Sequence, residues 1–160
     1  SAQIFMTFLP KDGLWVDFGT GGGFPGLVLA ILGRQLCPEL RFSLVESDRR
    51  KCSFLRKVSR DLALTVDIKN SRVQSVDLKK ADYVSARAVC QLNDLFFLIE
   101  NLVSRETKCF FLKGETYKKE VANAQKNWDF NLSTVNSVTS EDGRLLILSG
   151  LERVIEKRNC

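Results

Sequence analysis

Residues 16–26, VDFGTGGGFPG, set five glycines and one acid within eleven positions, directly after the apolar run Leu14-Trp15-Val16. Glycine adopts positive φ without strain and lets a ligand press on the main chain itself, so such a run after a strand reads as a cradle. A tight strand-to-helix turn alone would need only one or two of these glycines. Two registers overlap. Gly21-Gly22-Gly23-Phe24-Pro25-Gly26 satisfies G-x-G-x-x-G, the dinucleotide fingerprint, whereas Asp17-Phe18-Gly19-Thr20-Gly21-Gly22-Gly23 satisfies D-x-G-x-G-x-G with an acid at the strand end.

Electrostatics separates the two. A pyrophosphate would be repelled by Asp17 at the mouth of its own cradle, whereas a cationic ligand would be attracted. S-adenosylmethionine carries a sulfonium and an ammonium and no phosphate, so it suits the acid-bearing register. Glu46, at the end of the next predicted strand, is placed to accept ribose hydroxyls from either ligand and does not discriminate. A P-loop is excluded because no G-K-[ST] follows the glycines.

The chain contains no histidine, which removes Ser-His and Cys-His nucleophile pairs and any zinc site built from imidazole; no metal is expected. Its five cysteines, Cys37, Cys52, Cys90, Cys109 and Cys160, show no C-x-x-C spacing and read as buried thiols of a reducing compartment. There is no signal-peptide pattern, and the longest apolar stretch, Phe24 to Leu32, is too short to span a bilayer, so a cytoplasmic protein without membrane contact is expected. The formal net charge is +5 and the pI about 9.0. The excess is clustered: Arg49, Arg50, Lys51, Arg56, Lys57 and Arg60 crowd one predicted helix, with smaller groups at Lys118-Lys119 and Arg153-Lys157-Arg158. Taken alone, these charges read as a solvated helix face with snorkelling stems in preference to a site for a polyanionic partner.

The elements that must position the loop alternate as βαβ units. Strands are predicted at Leu14–Phe18, Arg41–Glu46, Leu64–Lys69, Ala81–Ser85 and Lys108–Lys113, and helices at Pro25–Gln35, from Asp48, at Leu92–Val103 and at Glu115–Asn127. Asp129–Val138 and Arg144–Ser149 read as two strands joined by the turn Ser140-Glu141-Asp142-Gly143. The fold class is therefore α/β, a Rossmann-like, mostly parallel sheet closing in a C-terminal antiparallel hairpin. The 160 residues suit one domain, 1–160, with the first thirteen packed on the sheet through Ile4, Phe5, Phe8 and Leu9.

Six stretches together resemble the ribosomal RNA small-subunit methyltransferase G family, also called glucose-inhibited division protein B: VDFGTGGGFPGLVLAI (16–31), LVESDRRKCSFLRKV (44–58), NSRVQSV (70–76), SARAVCQLNDL (85–95), FLKGE (111–115) and DGRLLIL (142–148). The resemblance implies a class I methyltransferase sheet, S-adenosylmethionine as donor, and transfer to N7 of a guanine in small-subunit (16S) rRNA or the 30S subunit. It implies that Gly19 and Phe24 line the methionine side, Glu46 the ribose, Val73 and Gln74 the adenine, and Arg87 the cofactor's neighbourhood near the acceptor; the D-x-G-x-G-x-G register adds Asp17, Gly21 and Gly23 as cofactor-binding candidates. Gln74 stands where the family commonly has glutamate. The family's N-terminal helical segment would lie ahead of Ser1, and a monomer is expected.

Guanine N7 has a free lone pair and no proton, so its methylation needs no general base, and a chain without histidine can perform it. Arg87 and Lys113, at the ends of the fourth and fifth strands, are candidates for holding the guanine O6 edge or a neighbouring phosphate. A local ion pair is the other reading of such strand-end charges. Two rivals remain at this stage, a nicotinamide-nucleotide oxidoreductase using the G-x-G-x-x-G register and a catalytically silent RNA- or ribosome-binding module. A methyltransferase acting on a protein or small molecule is a third.

Overall fold

The computed structural model describes residues 1–87 and 89–154; Lys157, Arg158 and Cys160 lie outside them. Seven strands form one sheet in the order β3-β2-β1-β4-β5-β7-β6. β1 (Asp12–Phe18), β2 (Glu39–Glu46), β3 (Val66–Asn70), β4 (Tyr83–Arg87) and β5 (Lys108–Lys113) are parallel, and β6 (Trp128–Asn136) with β7 (Arg144–Arg153) closes the sheet as an antiparallel hairpin. Strand order reverses at β1, whose neighbours are β2 and β4. That reversal opens a crevice above the carboxyl ends of the strands, where ligands of open α/β sheets bind.

Helices cover both faces, so the inner strands read as near-continuous apolar runs. On one face Trp15, Phe42 and Phe110 pack against Ile4 and Phe5 of α1 (Gln3–Thr7) and Leu29 of α2 (Gly26–Leu36). Ile4 and Phe5 pack on the sheet as expected and Phe8 lies partly buried beside them, whereas Leu9 turns outward and is 52% exposed. On the other face Val16, Phe18, Val84 and Phe111 meet Leu92, Leu95, Phe96 and Ile99 of α4 (Leu92–Ile99), with α5 (Tyr117–Ala124) contributing Ala124. α3 (Arg49–Asp61) starts sharply because the Asp48 carboxylate accepts hydrogen bonds from the N–H groups of Arg50 and Lys51.

Differences from the predicted elements lie mainly at their ends. β4 is shifted two residues, which brings Ser85 into the middle of the strand and leaves Arg87 as its last residue. α4 stops at Ile99 because the following turn returns the chain to the sheet, where the carbonyl of Leu102 accepts the N–H of Ala81. α5 is shorter than predicted at both ends, and a 3-10 turn over Val73–Ser75 follows β3. Among the described residues no helix is long and apolar enough to cross a membrane.

Candidate functional site

The loop after β1 turns on glycine backbones with left-handed conformations. At Gly19, φ is +61°, and a Cβ there would sit 2.7 Å from Val89, so a side chain would both strain the turn and close the cleft in front of it. From the neighbouring strand Glu46 reaches up into this loop. Its Oε2 accepts the N–H of Gly21 at 2.9 Å and its Oε1 the N–H of Asp48 at 2.9 Å, so one carboxylate fixes both the glycine loop and the start of α3. The remaining lone pairs of Glu46 face a cleft of about 310 Å³ lined by Gly19, Val45, Ser47, Arg72, Val73, Gln74 and Val89. That volume lies at the lower end of small-molecule sites, roughly 300–1,000 Å³.

The predicted place of Asp17 needs correcting. Its side chain is fully buried instead of standing at the mouth of the cradle. Oδ2 accepts the N–H of Gly26 at 3.0 Å and Oδ1 accepts the Ser85 hydroxyl at 2.6 Å, while Ser85 Oγ accepts the indole N–H of Trp15 at 2.9 Å. Because Ser85 takes one proton from Trp15, its own proton is directed at Asp17. The carboxylate thus ties β1, β4 and the first residue of α2 together behind the loop. Burial raises its pKa to about 6, against the opposing pull of the hydrogen bonds from Ser85 and Gly26 and of the Arg87 charge. The buried Thr20 hydroxyl also favours the anion electrostatically, yet it has no hydrogen-bond partner of acceptable geometry.

The same loop offers almost nothing to a diphosphate. The N–H groups of Gly23 and Phe24 go to the Thr20 carbonyl, that of Gly26 to Asp17, and that of Leu27 to the Gly23 carbonyl; Pro25 has none. An anion at this helix start would meet engaged donors and the Asp17 carboxylate behind them.

A second groove, of about 280 Å³, opens beyond the ends of β4 and β5, and Arg87, Lys113, Gly114, Thr139 and Arg144 line it. Arg87 is exposed and its guanidinium lies 5.3 Å from the ring centroid of Phe24, which is itself 47% exposed. This pair stands at the end of β4 and on the glycine loop, over the reversal point of the sheet. Lys113 departs from its predicted role as a free phosphate or base contact. It is 8% exposed and donates to Glu120 at 2.7 Å and to the carbonyl of Cys90 at 2.6 Å, so its ammonium already has partners. Burial works against the Glu120 anion, but the hydrogen bond and charge of Lys113 outweigh it and hold that carboxyl below its usual range.

Of the predicted residues, the structure brings Gly19, Glu46, Val73 and Gln74 to one cleft, with Gly21 bonded to its wall. Phe24 and Arg87 meet beside the second groove. Asp17 and Gly23 are buried behind the loop. Sequence reasoning missed Ser85 and Trp15. Their signal was the direct register of Asp17 with Ser85 across β1 and β4, which only the strand order reveals. Ser47, Arg72 and Val89 of the cleft wall carried no distinguishing spacing.

Comparison with known proteins bears on the family and the fold. The chain is 40% identical over 154 residues, 96% of its length and 75% of theirs, to proteins named ribosomal RNA small subunit methyltransferase G of Ruegeria sp. (strain TM1040) and Ruegeria pomeroyi. Among solved structures it is similar to a ribosomal protein L11 methylase from Lactobacillus delbrueckii subsp. bulgaricus, with TM-score 0.73 and 15% identity, covering 93% of this chain and 76% of that one. A mutant of MtNAS in complex with S-adenosylmethionine superimposes with TM-score 0.71 at 14% identity, covering 93% of this chain and 59% of that one. These distant likenesses support the class I methyltransferase fold. The family model for rRNA small subunit methyltransferase G matches residues 1–147, and with relatives at 40% identity over nearly the whole chain, the protein belongs to that family.

Proposed function

We propose that this chain transfers a methyl group from S-adenosylmethionine to N7 of a guanine in small-subunit rRNA. The observation that carries the reading is the Glu46 carboxylate, fixed by the N–H groups of Gly21 and Asp48 at the wall of a cleft beside a loop most of whose N–H donors are already engaged. A nucleoside without phosphates fits such a cleft: Glu46 accepts ribose hydroxyls, Val73 and Gln74 flank the base, and the bare backbone at Gly19 leaves room for the remainder. Asp17 supports the donor from behind, by holding the loop and by placing buried negative charge under a cationic ligand. When bound, S-adenosylmethionine supplies an electrophilic methyl group.

The protein's share of the catalysis is alignment. Guanine N7 needs no proton removed, so no side chain has to act as a base, and correct placement of acceptor against donor is worth up to about 7–11 kcal/mol in favourable cases. N7 lies on the major-groove edge, which A-form RNA closes to side chains, so the target base must be unpaired or flipped. Arg87, exposed beside Phe24 and next to the groove beyond β4 and β5, is the residue placed to hold the guanine O6 edge or an adjacent phosphate. Lys113, held by Glu120, serves this groove as a fixed part of its wall.

The test is incubation of the chain with labelled methyl donor and small ribosomal subunits lacking the modification, followed by mapping of the labelled base. Label at a single guanine, released by the strand scission that N7-methylguanine undergoes after reduction, is the expected result. Label on ribosomal protein, or on no component, would overturn the reading.

A further inference from the structure

The charge excess of the whole chain is +5, and α3 alone carries six cations and one carboxylate over its thirteen residues. The rest of the chain is therefore balanced, and the entire imbalance sits on one helix. Resting on the rRNA methyltransferase reading above, we propose that the outward face of α3 docks the phosphate backbone of the rRNA around the target nucleotide, with Phe54 as a stacking platform for an unpaired base.

Three features of the helix support this. Its inward stripe, Cys52, Leu55 and Ser59, is buried, which leaves the opposite surface to solvent apart from Arg56, whose guanidinium donates to the Ile68 carbonyl. On the crest opposite that stripe, Arg50, Phe54 and Lys57 follow at i, i+4 and i+7 and span about 10 Å, with Phe54 51% exposed. Arg49, Arg56 and Arg60 run along the flank, and Arg56 and Arg60 line a groove of about 380 Å³ against β3. Of the six cations on this helix, all among the described residues, only Lys57 is ion-paired, to Asp61 at 2.7 Å; the other five have no carboxylate within salt-bridge distance. Asp48 offsets Arg50 and Lys51 at the start of the helix and Asp67 borders the groove of Arg56 and Arg60, but six cations on one helix outnumber these acids, and their mutual repulsion is something folding alone gives no reason to retain.

Position and chemistry then select the partner. α3 begins at the cofactor cleft, because the N–H of Asp48 is bonded to Glu46. An RNA whose base enters the site therefore passes the helix. A lipid surface would require the apolar stripe to be available for insertion, and that stripe lies in the core. An exposed aromatic between cations suits a single strand, which offers both phosphates and base faces.

The experiment measures binding of the full chain to unmodified small subunits and to deproteinised small-subunit rRNA over a series of salt concentrations. For the triple variant Arg49→Gln/Arg50→Gln/Arg60→Gln the slope of log K against log salt should shrink by roughly 2, since each lost phosphate contact removes about 0.7–0.9. For Phe54→Ala the affinity should fall about 5–30-fold with the slope unchanged. In both, S-adenosylhomocysteine affinity, melting temperature and the single-turnover rate at saturating subunits should match the parent, which separates RNA docking from damage to the fold or cleft. Unchanged slope and affinity in a parent chain that does methylate subunits would overturn this inference alone. Losses seen with assembled subunits but absent on deproteinised rRNA would assign the face to a ribosomal protein and overturn it too. A parent chain that neither binds nor methylates subunits would overturn the function itself.

Discussion

Replacing Asp17 by asparagine probes the buried carboxylate on which the glycine loop rests. Its pKa is raised to about 6 in the folded chain from 3.8, an interval that corresponds to about 3 kcal/mol. For an acid raised on folding, the native state holds the proton more tightly, so the contribution of Asp17 to stability is greatest below about pH 4 and is lost as pH rises through 6. Asparagine has no charge to bury but pairs less well. If its oxygen accepts the N–H of Gly26, its amide faces Ser85 Oγ, which already accepts from Trp15, and the Ser85 proton loses its acceptor. One unsatisfied buried donor costs about 1–3 kcal/mol. The variant is therefore expected to be clearly less stable than the parent at pH 4 and about equal to it at pH 8. The difference between the two should move by about 2 kcal/mol in the variant's favour over that range. At about 2–4 °C per kcal/mol for a chain of this size, melting curves recorded side by side should show the gap in Tm close by roughly 5 °C or more. Subtracting one chain from the other cancels every other titrating group. Parallel Tm curves from pH 4 to 8 would refute the reasoning, because they would mean that Asp17 keeps its charge throughout.

Glu46→Gln sets an amide N–H₂ against the N–H of Gly21 or of Asp48, so S-adenosylhomocysteine affinity should fall about 10–100-fold by calorimetry, and unchanged affinity would remove Glu46 from the site. Gly26→Ala places a methyl against Leu44 and within 2.6 Å of Asp17 Oδ2; overpacking of about 1–3 kcal/mol should lower Tm by several degrees, and an unchanged Tm would show that the start of α2 can shift. Arg87→Ala should cut methylation at least tenfold while stability stays within about 0.5 kcal/mol, as for other exposed side chains, and a large drop in Tm would make Arg87 structural instead.

Much of this was legible in the sequence because local signals agreed with one another. The strand, glycine loop and helix of residues 12–36 follow from apolar runs and glycine spacing, and Glu46 was found because a residue ending the second strand of such a sheet must face the crevice. The hairpin of β6 and β7 showed in its turn residues, although not in its place, with β7 inserted beside β5. What stayed hidden depends on contacts between distant segments. Asp17 is an acid at a strand end, and nothing local tells whether it faces a ligand or a serine 68 residues further on. The sequence left Lys113 open between an RNA contact and a local ion pair because Glu120, seven residues later, comes within reach only once α5 folds back over β5. The charge on α3 was plain in the sequence, but its meaning required knowing which face of the helix the sheet covers.

The most direct test of the account is a crystal structure of the chain grown with S-adenosylhomocysteine, paired with calorimetry against that ligand and NAD. The account expects the nucleoside in the cleft with its ribose on Glu46 and its base beside Val73, and no heat from NAD. An empty cleft, or heat from NAD, would contradict it.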